Sequence, residues 1–97
     1  IDVMHTELDD RDDVIPTVTP NWDHTPRSGT HGVVLVGSTP ERFGQAMHNA
    51  IQSVAGKPYD KRIIMIKSWN EWAEGNYLEP DLKYGRQYLD TLKNEVF

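Results

Sequence analysis

The sequence predicts an α/β fold: a small parallel sheet with two helices packed on it. Three observations carry this. Two short β-branched runs, "VIPTV" and "VVLVG", precede an apolar stripe at helical spacing. A strongly apolar run, "KRIIMIKSW", follows that stripe. A second helical pattern closes the chain. The order is strand, loop, strand, helix, strand, loop, helix, and tandem β-to-α units imply parallel strands joined by right-handed crossovers.

The elements follow in order. Residues 1–13 are polar and acidic, with Asp9, Asp10, Asp12 and Asp13 around Arg11, and read as a solvated loop. Val14–Val18 is a short strand, and Pro16, lacking a ladder donor, places it at an edge or an irregular position. "TPNWDHTPRSGTHG" is a long loop of the kind that is usually functional or mobile. Val33–Gly37 is the next expected strand. Ser38 or Thr39 caps the helix behind it, Pro40 suits the first turn, and Ser38 with Glu41 fits a capping box. Phe43, Met47, Ala50, Ile51 and Val54 trace its apolar stripe, and Gly56 and Pro58 end it. "KRIIMIKSW" is apolar enough for a strand covered on both faces. The last helix is expected from about Asp81 to Val96, with Leu82, Tyr88, Leu89, Leu92 and Val96 on one side and Gly85 allowing close packing.

At 97 residues the chain has room for one core, so residues 1–97 form a single domain. A net charge of -5 disfavours a phosphate-binding surface, and nucleic acid is a poor partner. No apolar run approaches the roughly 20 residues of a membrane span. Cysteine is absent, which removes disulfides and a thiol nucleophile. His5, His24, His31 and His48 show no metal-ligand spacing, so no metal is expected, and His48 falls on the polar helix face. "GSTPERFG" lacks the ending of a phosphate-binding loop, no G-x-G-x-x-G follows a strand, and no cofactor is expected. The first residue is Ile rather than Met, which points to a longer parent. The expected location is cytoplasmic.

The chemistry gathers in "SWNEWAEGNYLEPD", behind the best strand, where parallel folds present reactive groups. Glu71 and Glu74 are three residues apart, and on a helical turn they would share a face. Two carboxylates at about 5–6 Å repel by roughly 3 kcal/mol at an effective dielectric of 20. One would then hold a proton while the other stays charged, the division that acid/base work on a glycosidic bond needs. Trp69 and Trp72 offer apolar faces to a sugar ring, and Asn70 can hydrogen-bond its hydroxyls. The plain alternative is an exposed E-x-x-E pair with two core tryptophans.

"SWNEWAEGNYLEPD" with "YGRQYL", "NWDHTPRSG" and "GSTPERF" resembles, in order, three shared segments of the WbsX-type proteins of polysaccharide and O-antigen (lipopolysaccharide) biosynthesis. The likeness covers most of residues 16–92. That family is similar in turn to glycoside hydrolase family ninety-nine, the endo-acting α-mannosidase and mannanase barrels, in which an N-E-W-x-E-G segment carries both carboxylates. The resemblance implies that Glu74 is the general acid/base at the bridging oxygen, and that Glu71 deprotonates the 2-hydroxyl that attacks the anomeric carbon. It places Trp22, Asp23, Arg27, Tyr77 and Glu79 with Trp69, Asn70 and Trp72 as substrate-binding residues, although Asp23 and Arg27 read equally well as a structural ion pair. The family fold is a TIM-like (β/α)₈ barrel of ~250 residues, so this chain would supply its C-terminal βα units and be inactive alone. Its partners would be a carbohydrate substrate and either the rest of the barrel or a second copy. Three functions compete: glycosyl hydrolysis by a carboxylate pair, transfer from an activated donor, and non-catalytic glycan binding or scaffolding.

Overall fold

A computed structural model describes residues 7–23, 30 and 37–97. Of the expected strand Val33–Gly37 all but Gly37 lies outside the described residues, as do the candidate Arg27 and His5, His24 and His31.

A 3-10 turn, Glu7–Asp10, opens the described chain. Behind it Arg11 grips Asp13 through two hydrogen bonds of 2.9 and 2.7 Å. The hydrogen bond from Arg11 holds the Asp13 carboxyl below its ordinary range. Strand β1 is Thr17–Val18 and strand β2 is Met65–Ile66. They pair in parallel, Thr17 opposite Met65 and Val18 opposite Ile66, as the β-to-α order requires. Between them runs helix α1, Pro40–Ala55. Its cap is Thr39 rather than Ser38, with the Thr39 Oγ1 accepting the Arg42 N–H at 3.2 Å.

The core forms where α1 meets the sheet. Phe43, Met47 and Ala50 pack with Val18, Leu78 and Tyr88. The Phe43 and Tyr88 rings lie 5.7 Å apart and tilted, and Tyr84 meets Tyr88 edge-on at the same distance. Lys57, 2% exposed, closes the far end of α1: its Nζ donates to the Val14 carbonyl at 2.8 Å. This charge-assisted bond ties the segment before β1 to the segment after α1.

Helix α2, Gln87–Val96, starts later than the pattern predicts. Asp81–Gly85 instead forms a tight turn, closed by backbone bonds in both directions and by the Tyr84 N–H to Asp81 Oδ1 at 2.6 Å. Gly85 sits there at φ +57°, outside the helix, and Leu82 is fully exposed. The close helix–helix approach belongs to Gly44, where an added Cβ would stand 2.9 Å from Thr91 Cγ2 of α2. His48 is exposed, as expected, and faces Glu95 of α2 at 3.8 Å.

The expectation that "KRIIMIKSW" is covered on both faces is corrected. Only Met65–Ile66 takes ladder geometry, after a 3-10 turn at Tyr59–Lys61, and Ile63 and Met65 are 44% and 55% exposed. A two-stranded sheet with one helical layer leaves the second face of β2 without a neighbour among the described residues. Also among the described residues, no helix is long and apolar enough to cross a membrane, and no cluster of His, Asp or Glu would hold a metal ion.

Candidate functional site

Beyond Ile66 the chain turns into a feature the sequence did not announce. Strand β3, Asn70–Glu71, and strand β4, Asn76–Tyr77, form an antiparallel hairpin with Asn70 opposite Tyr77 and Glu71 opposite Asn76. The 3-10 turn Trp72–Glu74 joins them, and Gly75 closes it in the left-handed region. Ser68 anchors both arms: its Oγ donates to the Asn76 carbonyl at 2.7 Å and accepts the Glu71 N–H at 3.3 Å.

Asn76 locks this hairpin onto the carboxyl ends of both parallel strands. It is fully buried, and its Nδ2 donates to the Asn21 carbonyl at 2.6 Å and the Lys67 carbonyl at 2.7 Å. Asn21 Oδ1 returns the link by accepting the Tyr77 N–H at 2.8 Å. The two carbonyl acceptors offset the desolvation of the Asn76 Nδ2 hydrogens. Asn76 Oδ1, by contrast, is buried with no hydrogen-bond partner.

This frame settles where the candidate residues stand. Glu71 ends β3 and, at φ -87° and ψ 74°, leads into the 3-10 turn that Glu74 ends, so the two are not related by one α-helical face. Glu74 lies against the loop after β1: its carbonyl accepts the Asp23 N–H at 2.8 Å. Its Oε2 is 3.3 Å from Lys67 Nζ, and that ammonium sits 4.4 Å above the Trp22 ring. Glu74, Lys67 and Trp22 thus form one cluster at the mouth of the sheet. Lys67 was missed by sequence reasoning, though its place at the end of the apolar run was the available signal.

A second cluster is aromatic. Trp72 stacks on Tyr77 with ring centres 3.8 Å apart and planes 17° from parallel. Trp72 Nε1 donates to Glu79 Oε1 at 2.7 Å, and Tyr77 Oη donates to Asp81 Oδ2 at 2.7 Å. Burial, reinforced by the Asp81 carboxylate, raises the Tyr77 phenol well above its ordinary range. Trp22, Asp23, Trp72 and Tyr77 line an open groove of about 630 Å³ together with Thr39, Asp81 and Tyr84. Glu71 and Glu74 are not among its lining residues, and Trp69 and Asn70 are exposed elsewhere on the hairpin.

The family model for Glycosyltransferase WbsX matches residues 1–92, nearly the whole chain. The chain belongs to the WbsX family. Two curated relatives, each called "Uncharacterized protein WxcX" and found in strain B100 and a second strain of Xanthomonas campestris pv. campestris, are 37% identical over 82 residues. That alignment takes in 84% of this chain and 12% of each relative, so the chain spans a small part of the length of the proteins it matches. No solved structure matches. Every candidate residue from Trp22 to Glu79 falls inside the WbsX match, as do Asn21, Lys67 and Asn76, which hold the site together.

Proposed function

We propose that this WbsX chain is the C-terminal βα portion of a larger carbohydrate-active (β/α)₈ barrel. The parent hydrolyses or transfers glycosyl units during surface polysaccharide (lipopolysaccharide or O-antigen) biosynthesis, in the cytoplasm. The observation that carries this reading is the convergence of Glu74 with the loop after β1, at the carboxyl ends of two parallel strands, through the 2.8 Å bond from Asp23. Parallel barrels collect chemistry from several strands at that end.

In this reading Glu71 takes the proton of the sugar's 2-hydroxyl, whose oxygen attacks the anomeric carbon. The bond to the bridging oxygen breaks, and Glu74 protonates the departing oxygen. Water, or an acceptor hydroxyl, then opens the strained ring by attack at the anomeric carbon. Glu74 takes the attacking group's proton and Glu71 returns its proton to the 2-oxygen, so that both carboxyl groups are restored and configuration is retained overall. Lys67 restrains Glu74 within reach of that oxygen. The 97-residue chain by itself would show no turnover, because most of the substrate cleft would come from the rest of the parent.

The test is Glu71→Gln and Glu74→Gln, made singly in the full-length parent. Loss of turnover with retained sugar binding supports the carboxylate pair, and unchanged turnover rules it out. A screen of activated donors separates hydrolysis from transfer. A second reading, a glycan-binding module without catalysis, draws on the aromatic groove that neither glutamate lines.

A further inference from the structure

We infer that Asn76 is a positioning residue for the glycosyl reaction: its two side-chain amide hydrogens fix the hairpin that bears Glu71 and Glu74 against the strand ends that bear Trp22 and Lys67. The inference rests on the carbohydrate reading above and deepens it by naming the residue that sets the geometry of its carboxylates.

One residue reaches all three parts of the site. Asn76 stands opposite Glu71 in the β3–β4 ladder and follows Glu74 by two positions. Its Nδ2 donates to the carbonyl of Asn21, the residue before Trp22, and to the carbonyl of Lys67, whose Nζ meets Glu74 Oε2. Its backbone carbonyl accepts from Ser68 Oγ, which in turn accepts the Glu71 N–H. The loop after β1, the end of β2 and the hairpin therefore share this one residue as their common fastening.

The chemistry of the amide shows what the site draws from it. Bonding two carbonyls at once takes two neutral donors on a short side chain, and Asn is the shortest that carries them. The reverse orientation would set Oδ1 against both carbonyl oxygens. In the orientation taken, Oδ1 is buried with no hydrogen-bond partner, at a cost to the fold. The donors, and not the acceptor, are what fasten the junction.

Both printed contacts of Glu74 cross this junction. Lys67 Nζ reaches its carboxylate from the end of β2 at 3.3 Å, and the Asp23 N–H reaches its carbonyl from the loop after β1 at 2.8 Å. Acid/base work needs the carboxylates within hydrogen-bond reach of the sugar oxygens, and a displacement of about 1 Å can cost on the order of 100-fold in rate. Loosening Asn76 therefore acts on the reaction through Glu71 and Glu74, without Asn76 touching the sugar.

The experiment has two arms. Amide hydrogen exchange on this chain, isotopically labelled, reads the junction apart from the core: the Asp23 and Tyr77 amides bond across the junction, and the Met47 and Ala50 amides lie inside α1. Asn76→Asp keeps the shape and removes both donors, and Asn76→Ala, which brings no buried charge, is the second variant should the first unfold. Either should speed the junction amides about tenfold or more relative to those of α1. Lys57→Met, which loosens the far end of α1, should leave that ratio within about threefold. In the full-length parent, Asn76→Ala should lower kcat about tenfold or more and change KM by less than about threefold, whereas Lys57→Met should leave both within about twofold. Equal acceleration of junction and α1 amides, an unchanged ratio in the Asn76 variants, or a parent Asn76→Ala with undiminished kcat would overturn the inference. The exchange arm is read without turnover, so full activity in the Glu71→Gln and Glu74→Gln parents would sink the carboxylate reading without altering the exchange ratio.

Discussion

Replacing Gly75 by alanine is expected to unlock the hairpin from the loop after β1. Two separable costs contribute. Gly75 sits at φ +56°, and a side chain in that left-handed region costs about 1–2 kcal/mol. A Cβ there would also stand 2.7 Å from Asp23 Cβ, 2.7 Å from its carbonyl oxygen and 2.8 Å from its nitrogen. Two of those atoms are backbone, so the strand ends must part, at a cost of about 1–3 kcal/mol. The bond from Asp23 to the Glu74 carbonyl would weaken with them, and roughly 3–5 kcal/mol is expected in total. Two other glycines isolate the parts. Gly85 has φ +57° but nothing within 4 Å, so Gly85→Ala should cost only the left-handed term. Gly56 has φ -86° and equally open surroundings, so Gly56→Ala should be neutral or stabilising by about 0.4–1 kcal/mol. Urea unfolding followed by tryptophan fluorescence reads all three as midpoint shifts at constant slope. Gly75→Ala and Gly85→Ala agreeing within about 0.5 kcal/mol would refute the contact with Asp23.

Three further outcomes are expected. Burial pushes the Tyr88 phenol up to about 12, and Tyr77 is raised as well. Raised pKa values favour the protonated fold, so this stability is complete below about pH 10 and is lost as pH climbs through the folded values. Denaturant midpoints across that alkaline window should fall, and Tyr88→Phe should flatten the fall. Lys57→Met should cost about 1.5–3 kcal/mol by removing the charged donor to Val14, a loss that urea titration would register and that Lys57→Arg should only partly recover. Phe43→Ala, at a fully buried ring, should cost about 3–5 kcal/mol, and calorimetry should show the transition shifted accordingly.

How legible this fold was in its sequence depended on how local each interaction is. Helix α1 was readable because its cap, its proline and its stripe all lie within one segment, and only the choice between Ser38 and Thr39 needed the structure. The start of α2 misled because Leu82 looks like part of the stripe, whereas Asp81 captures the Tyr84 N–H and Gly85 turns the chain first. The parallel pairing of β1 and β2 followed from element order. The hairpin did not, because its anchor is a hydrogen-bonded exchange between Asn76 and Asn21, residues far apart in sequence that no spacing rule connects. The candidate site divides the same way. Glu71, Glu74 and Trp72 announced themselves by position behind an apolar run, while Lys67 and Asp81 gain meaning only from the side chains they touch.

The pairing of Thr17 with Met65 also sets the order in which the chain can assemble. Parallel neighbours cannot zip outward from a tight turn, so every rung of that ladder waits for a long loop to close. The intervening α1, with its own cap and nearly all of its apolar stripe, can form on local interactions and offer Phe43 and Met47 as a template for both strands. Substitutions in α1 should therefore slow refolding, whereas loosening the hairpin should chiefly hasten unfolding.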